Sequence, residues 1–476
     1  MRREEPVMPS SLSTSGAGGA WRLTRREKLF LGGLLAAVLA LGACVERRTA
    51  LRSVPMGDLG VFARGAWAIG HGEDLYTVTW REWHYHYPPA IAILMAPLAH
   101  PGLPADRAKG SRIWHWGWEI EGRRSQFVPL QSFNRRFFAI VAVWYLLSVL
   151  LLAFSVHALA SALEGRRLRE PPPESPPERR RWWARRVVPS LLLLGPILTV
   201  LMRGQVEMVM LAAVSAGLLL AGRRREGLAG AMFALPACIK VFPLVLAVYP
   251  LWRRRARMAA GMTAGLLSIL VLLPAAALGP SRTASLYRSW TAAVLLPGLD
   301  AGTDRARDDE LFGINATDNQ SLLRVLHNMR QRTLPGSPGS PAEPSAATRT
   351  AVLLVGALLM AAILAAAGWR GEDTPRERAL LVGMLLALGV IVSPVAHSYY
   401  AILAMPLVMG VTDAWLAGSL ERPGRIAAVS AAVLLVGSGL AVGIVGGKTL
   451  WGPSFASLLA LLAAGAACLR LPPRRA

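Results

Sequence analysis

Long apolar runs set apart by clusters of arginine dominate this chain, and they restrict it to folds that cross a membrane repeatedly. The runs at residues 137–163 (FFAIVAVWYLLSVLLLAFSVHALASAL) and 351–369 (AVLLVGALLMAAILAAAGW) are each long enough to traverse a hydrocarbon core of roughly 30 Å as a helix. Many similar runs follow one another. With 53% of its 476 residues hydrophobic and a mean hydropathy of +0.40, the chain is too apolar for an ordinary soluble protein. The expected fold is all-α, a polytopic transmembrane helical protein with about 10 to 13 membrane segments, some of them re-entrant or broken.

The formal charge of +23 would suit a nucleic-acid partner if it were concentrated on one soluble domain. Instead it lies in short clusters between apolar runs, such as RRR at 223–225 and RRRAR at 253–257. This is the positive-inside pattern that fixes orientation in a bilayer, with anionic-lipid contact as the other reading. The lipid bilayer is thus an expected partner and nucleic acid is not. Cys44, Cys238 and Cys468 fall in apolar segments without metal-ligand spacing, so neither a disulfide framework nor a metal site is expected.

Assigning basic loops to the cytoplasm gives spans near 29–45, 137–163, 187–202, 205–222, 258–279, 349–369, 379–393, 399–417, 425–447 and 453–469. Segments 88–104 and 228–252 fit poorly: the first is short and proline-rich, and the second has arginine clusters on both sides. Re-entrant or broken hairpins would satisfy the charge rule in both. The expected organisation is a disordered cytoplasmic N-terminus at 1–27, one membrane domain at 28–470 and a cytoplasmic tail at 471–476. Loops at 46–87 and 281–348, the turn at 203–205 and the segment 393–400 then share the extracytoplasmic side. The proline-rich stretches 169–181 and 333–345 read as spacers.

The polar residues on that shared side are the candidates for chemistry. Asp58 follows the first span; it suits a general base that takes a proton from an attacking hydroxyl, or a helix N-cap. Trp67, Tyr76, Trp80, Trp83, Tyr85 and Tyr87 suit sugar stacking or an interfacial aromatic belt. Arg203 suits a bidentate phosphate contact or a snorkelling anchor. Gln205 shares its turn, and Glu207 lies one turn inside the next span, in reach of Arg203 four residues earlier. Lys240 stands between two prolines and needs an anion, either a ligand phosphate or a structural carboxylate. Asn319 and Gln320 precede an amphipathic run, and His397 suits a donor phosphate, a sugar hydroxyl or a satisfied interfacial position. There is no P-loop, GxGxxG or HExxH motif, so a nucleotide-phosphate cradle is missing.

Taken in order, GDLGVF, GEDLY with HYPPAIAILMAPLA, RGQVEMVMLA, IKVFPLVLAVYPLWRRR, DNQSLL and SPVAHSYY resemble glycosyltransferase family 87 over residues 28–470. That family comprises bacterial polyprenol-phosphate-mannose-dependent alpha-mannosyltransferases of the C-type membrane superfamily. The resemblance implies transfer of a hexose, mannose by preference, from a polyprenyl-phosphate sugar donor to a glycolipid or glycan acceptor. Inversion at the extracytoplasmic face of the plasma membrane, without a cofactor or metal, is implied as well. Asp58 would be the base. Arg203, Lys240 and His397 would bind the donor phosphate, and Tyr87, Gln205, Glu207, Asn319 and Gln320 would line the substrate site. The family usually has Asn where Glu207 stands and Ser-Trp-Asp-His-His where this chain has 396–400, and the 105–136 insertion departs from its pattern. A transporter or flippase of a lipid-linked or polar solute is the competing class, since it too needs many spans and intramembrane charge.

Overall fold

A computed structural model describes residues 23–51, 57–80, 83–99, 119–120, 123–124, 126–127, 135–298, 319–331, 344–369, 373–445 and 453–470. The protein is an all-α membrane fold. Its strands are small: β1 (Val78–Trp80), β2 (Trp83–His84) and β5 (Gln126–Phe127) form one sheet, while β3 (Glu119–Ile120) and β4 (Arg123–Arg124) form another. Residues 1–22 and 471–476, the tryptophans of the 105–136 insertion and most of the 333–345 stretch lie outside the described residues.

Among the described residues, five helices are long and apolar enough to cross a membrane. They are α1 (Arg25–Thr49), α4 (Arg135–Glu164), α10 (Ala256–Leu278), α13 (Ala346–Ala367) and α15 (Ser398–Leu416). Between α1 and α4 lie α2 (Leu59–His71) and α3 (Pro89–Leu94). A bent pair, α5 (Pro176–Leu192) and α6 (Leu194–Arg203), meets at 65° and is apolar enough when taken together, in the manner of a broken span or a re-entrant loop. Pro189 lies in the last turn of α5, where its ring and missing N–H weaken the ladder just before the bend. The remaining helices are α7 (Glu207–Gly222), α8 (Glu226–Ile239), α9 (Phe242–Trp252), α11 (Pro280–Trp290), α12 (Leu322–Gln331), α14 (Pro375–Val392), α16 (Arg422–Val445) and α17 (Pro453–Leu469).

The expected break within 228–252 is present. Helix α8 ends where Lys240 turns extended (φ −129°, ψ 146°), and α9 restarts as a 3-10 turn with Pro243 near its beginning. In segment 88–104 the described residues, 88–99, form a short helix at Pro89–Leu94 and a 3-10 turn at Ala96–Leu98.

Glycines let α8 and α10 touch through their backbones. A Cβ on Gly230 would lie 2.0 Å from the Met258 carbonyl, and one on Gly261 would lie 2.0 Å from that of Gly227. Apolar burial distinguishes poorly between lipid and protein, so close approach of small residues supplies much of the packing attraction here.

Two expectations about loops need correction. The 169–181 stretch is not wholly a spacer, because Pro176 opens α5. Proline is well suited to the first helical turn, where its missing N–H costs nothing. The helix then ties itself down through Arg179 to Glu27 at 2.6 Å and Arg186 to Glu164 at 2.9 Å. The 281–348 segment likewise begins as α11 and continues helical to Gly298. Leu286 and Ala293 bury the inner side of that continuation.

Three of the aromatic residues after α1 follow neither expectation. Trp67, Tyr76 and Tyr85 are buried inside the protein. The Tyr76 hydroxyl donates to the Tyr87 carbonyl at 2.9 Å, and the Tyr85 hydroxyl donates to the Pro88 carbonyl at 3.2 Å. These rings pack the 57–99 region together. The side chains of Trp80 and Trp83 are outside the described residues.

Candidate active site

Two turns from distant parts of the chain press against each other and bring Asp58 to Arg203 and Gln205. Asp58 sits at the N-cap of α2, yet its side chain makes no capping bond. Its backbone N–H donates to the Arg203 carbonyl at 2.8 Å, and its Oδ2 accepts from Gln205 Nε2 at 2.5 Å. The nearer Arg203 nitrogen is 3.9 Å from the same oxygen. Both charged side chains are about one-third exposed, at 34% for Asp58 and 36% for Arg203.

Gly204 makes this contact possible. It terminates α6 in the left-handed region (φ 69°), where an L side chain is strained. A Cβ there would approach that of Leu59 to 2.8 Å. The indole of Trp144 on α4 donates to the Gly204 carbonyl at 3.0 Å and fixes the turn from the other side.

Gln205 is buried and uses the same Nε2 a second time, donating to the Tyr399 hydroxyl at 2.8 Å. Tyr399 stacks on His397, with ring centroids 5.2 Å apart and planes 7° from parallel. The Arg203 guanidinium lies 5.5 Å from the Tyr399 ring centroid. Asp58, Arg203, Gln205 and His397 are thus connected through one tyrosine.

A second polar group lies behind this cluster. Lys240 Nζ donates to Glu207 Oε1 at 2.5 Å, with both side chains buried. The expected Arg203–Glu207 pair is therefore replaced by Lys240–Glu207 and Arg203–Asp58. The helix break at Lys240 explains the exchange: its extended backbone carries the ammonium to the first turn of α7 instead of into lipid. Three aromatic rings surround Lys240, with Tyr400 at 3.8 Å, Tyr87 at 5.6 Å and Tyr399 at 5.7 Å from Nζ to centroid. Such ring faces attract a cation. Lys240 thus has the structural carboxylate that was one of its two readings.

Asn319 and Gln320 brace the site. Asn319 Oδ1 accepts from the Ala396 and Ser321 backbone N–H groups at 3.1 Å each, and its Nδ2 donates to the Pro394 carbonyl at 3.2 Å. Gln320 donates its N–H to the Ala396 carbonyl at 2.7 Å, while its Oε1 accepts from Ser454 N at 2.8 Å. Their contacts hold the 393–400 segment against the start of α17.

Sequence reasoning missed Tyr399, Tyr400 and Trp144 as parts of the site. The tyrosines belonged to a recognised motif, SPVAHSYY, but an aromatic residue at a membrane surface carries no signal that separates a site from a belt. Trp144 sits within an uninterrupted apolar run. No group of three His, Cys, Asp or Glu residues that could hold a metal occurs among the described residues.

The model of glycosyltransferase family 87 matches residues 85–394, well over half of the 476-residue chain. The chain belongs to glycosyltransferase family 87. It is accordingly a membrane glycosyltransferase, with sugar donor and acceptor as its substrates. The family 87 match includes Tyr87, Arg203, Gln205, Glu207, Lys240, Asn319 and Gln320, whereas Asp58 precedes it and His397 and Tyr399 follow it. Comparison with curated proteins and with solved structures found no match.

Proposed function

We propose that this family 87 protein transfers a hexose, mannose by preference, from a polyprenyl-phosphate donor to a glycolipid or glycan acceptor, with inversion at the sugar carbon. The observation that carries the proposal is the hold of Gln205 on Asp58. One carboxylate oxygen is pinned by an amide and faces Arg203, while Oδ1 accepts no hydrogen bond among the described residues. That oxygen is the base. It takes the proton of the acceptor hydroxyl as the hydroxyl oxygen bonds to the anomeric carbon and the lipid phosphate departs with its bonding electrons.

The phosphate is already a competent leaving group, so the protein's tasks are alignment, a cation for the departing charge and exclusion of water. Arg203 is the cation, since its planar fork suits phosphate oxygens and it stands at the partly open edge of the cluster. Lys240 is neutralised by Glu207 and acts one layer back, setting the wall of Tyr87, Tyr399 and Tyr400. His397 borders the donor on the Tyr399 side.

The distribution of charge supports the choice of reaction face. Helix α7 carries Glu207 at one end and leads to Arg223–Arg225 at the other, about 24 Å away at 1.5 Å per residue. If the arginines face the cytoplasm, Asp58 faces outward, at the extracytoplasmic side of the plasma membrane. Lipid-linked donors are the activated sugars suited to that side, and the missing nucleotide cradle agrees with one.

Donor choice is the direct test. Purified protein in nanodiscs, offered radiolabelled mannose as its polyprenyl phosphate or as a nucleotide diphosphate, is expected to label a membrane-lipid acceptor pool only from the former. Labelling from the nucleotide sugar alone would overturn the donor assignment.

A further inference from the structure

At the face opposite Asp58, a cavity of about 1480 Å³ opens among the ends of α4, α7 and α9 and the starts of α8, α10 and α14. Ten arginines line it, against two carboxylates, Glu226 and Asp373. Both carboxylates are already engaged. Asp373 is buried and meets Arg255 at 2.8 Å, Arg378 at 3.4 Å and Arg253 at 3.7 Å, while Glu226 meets Arg255 at 2.7 Å. Arg223, Arg224 and Arg257 are exposed and make no ion pair among the described residues. The protein leaves much of the positive charge of this cavity uncompensated.

The backbone points to the same place. Among the described residues, positive φ occurs outside glycine only at Arg224 (58°) and Arg254 (51°). They occupy equivalent positions in two like turns. Arg225 N bonds to the Leu220 carbonyl and Arg224 N to the Ala221 carbonyl; Arg255 N bonds to the Pro250 carbonyl and Arg254 N to the Leu251 carbonyl. This is the Schellman helix ending, whose left-handed position normally goes to glycine because glycine has no Cβ to crowd. Arginine fills it twice, and both arginines line the cavity. Membrane orientation requires only that short cytoplasmic loops be rich in Lys or Arg. It requires neither the strained position nor convergence on one hollow.

We propose that this cavity binds a phosphate-bearing anion, supplied by the headgroup of an anionic phospholipid in the adjoining leaflet. Guanidinium forks match phosphate oxygens in pairs, and basic pockets between helix ends at the membrane surface suit anionic headgroups. Arg254 is oriented for the task by Trp369, whose ring centroid lies 4.7 Å from its guanidinium carbon. The site is separate from the sugar-transfer cluster and does not depend on the donor assigned there.

The test uses the full-length protein in a neutral detergent, with bound lipid counted by native mass spectrometry and melting followed in parallel. Phosphatidylglycerol is expected to bind and to raise the melting temperature in a concentration-dependent way, whereas phosphatidylcholine is not. The double variant Arg224→Gly/Arg254→Gly relieves the left-handed strain and so is expected to melt no lower than the parent without lipid. Loss of two guanidiniums should weaken its apparent affinity for phosphatidylglycerol on the order of 30-fold, at about fivefold for each arginine near an anionic surface. Arg180→Gln/Arg422→Gln removes the same charge from exposed positions outside the cavity and should change affinity by less than about threefold. Displacement of phosphatidylglycerol by inorganic pyrophosphate at low concentration would uphold the phosphate site and assign its ligand to solution. Equal affinities of the two double variants, or equal binding of the two lipids, would overturn the proposal.

Discussion

Gln205 and Asp58, 147 positions apart in sequence, are joined by a 2.5 Å hydrogen bond from one amide nitrogen that also reaches the Tyr399 hydroxyl. A carboxylate held by a single oxygen keeps its orientation without losing its second oxygen. In the account above, Gln205 positions the base and does not itself touch the reacting atoms. Gln205→Ala is expected to lower kcat about 10- to 100-fold while leaving the donor KM within about threefold. Steady-state kinetics with varied donor separates the two parameters. A rise in KM at unchanged kcat would instead make Gln205 a donor-binding residue.

The Lys240–Glu207 pair is buried, so removing one member strands the other. Lys240→Met is expected to destabilise the protein by about 3 to 5 kcal/mol, and Lys240→Met with Glu207→Gln to recover most of that loss. Detergent melting of the two single variants and the double variant closes the cycle. Simple additivity of the single effects would show that the pair is not coupled.

Gly261 meets the Gly227 carbonyl with no room for a methyl group. Gly261→Val is therefore expected to separate α8 from α10 at a cost above about 3 kcal/mol. Size-exclusion chromatography should show loss of the monodisperse species. Gly437 has open space around its Cα, and Gly437→Ala should elute as the parent does.

Asn319 satisfies two backbone N–H groups and one carbonyl in and beside the 393–400 segment. Its replacement by Ala leaves them unpaired and is expected to cost about 2 kcal/mol. The effect should be local, with faster hydrogen exchange at 393–400 and little change in α4. Uniform exchange throughout the protein would indicate global destabilisation.

How far these features could be read in sequence depends on their range. Five of the spans were legible because apolar length is a direct consequence of bilayer thickness; among the described residues five helices, or six with the bent α5–α6 pair, are long and apolar enough, against the 10 to 13 segments expected. Asp58, Arg203 and Gln205 stood out because they lie in short polar turns, GDLGVF and RGQVEMVMLA, on the side of the membrane away from the arginine clusters. The Glu207 partner was not legible: position 203 is a helix-spaced neighbour, whereas Lys240 arrives 33 residues later through a broken helix. Trp67, Tyr76 and Tyr85 turned inward because the 57–99 region folds on itself, and aromatic composition alone is the same for a belt and a core. Pro176 and Pro177 suggested a spacer, yet at a helix start proline is compatible with order. The left-handed turns at Arg224 and Arg254 had no signal at all, since the residue that normally marks them is glycine.

The most direct test of the account is sugar transfer by purified protein from radiolabelled polyprenyl phosphate mannose to a membrane-lipid acceptor pool, comparing the parent with Asp58→Asn. The substitution keeps the shape of the side chain and removes its ability to take a proton. The account predicts transfer by the parent and a loss of at least about 100-fold in the variant, with melting unchanged. Equal turnover by the two proteins would contradict it.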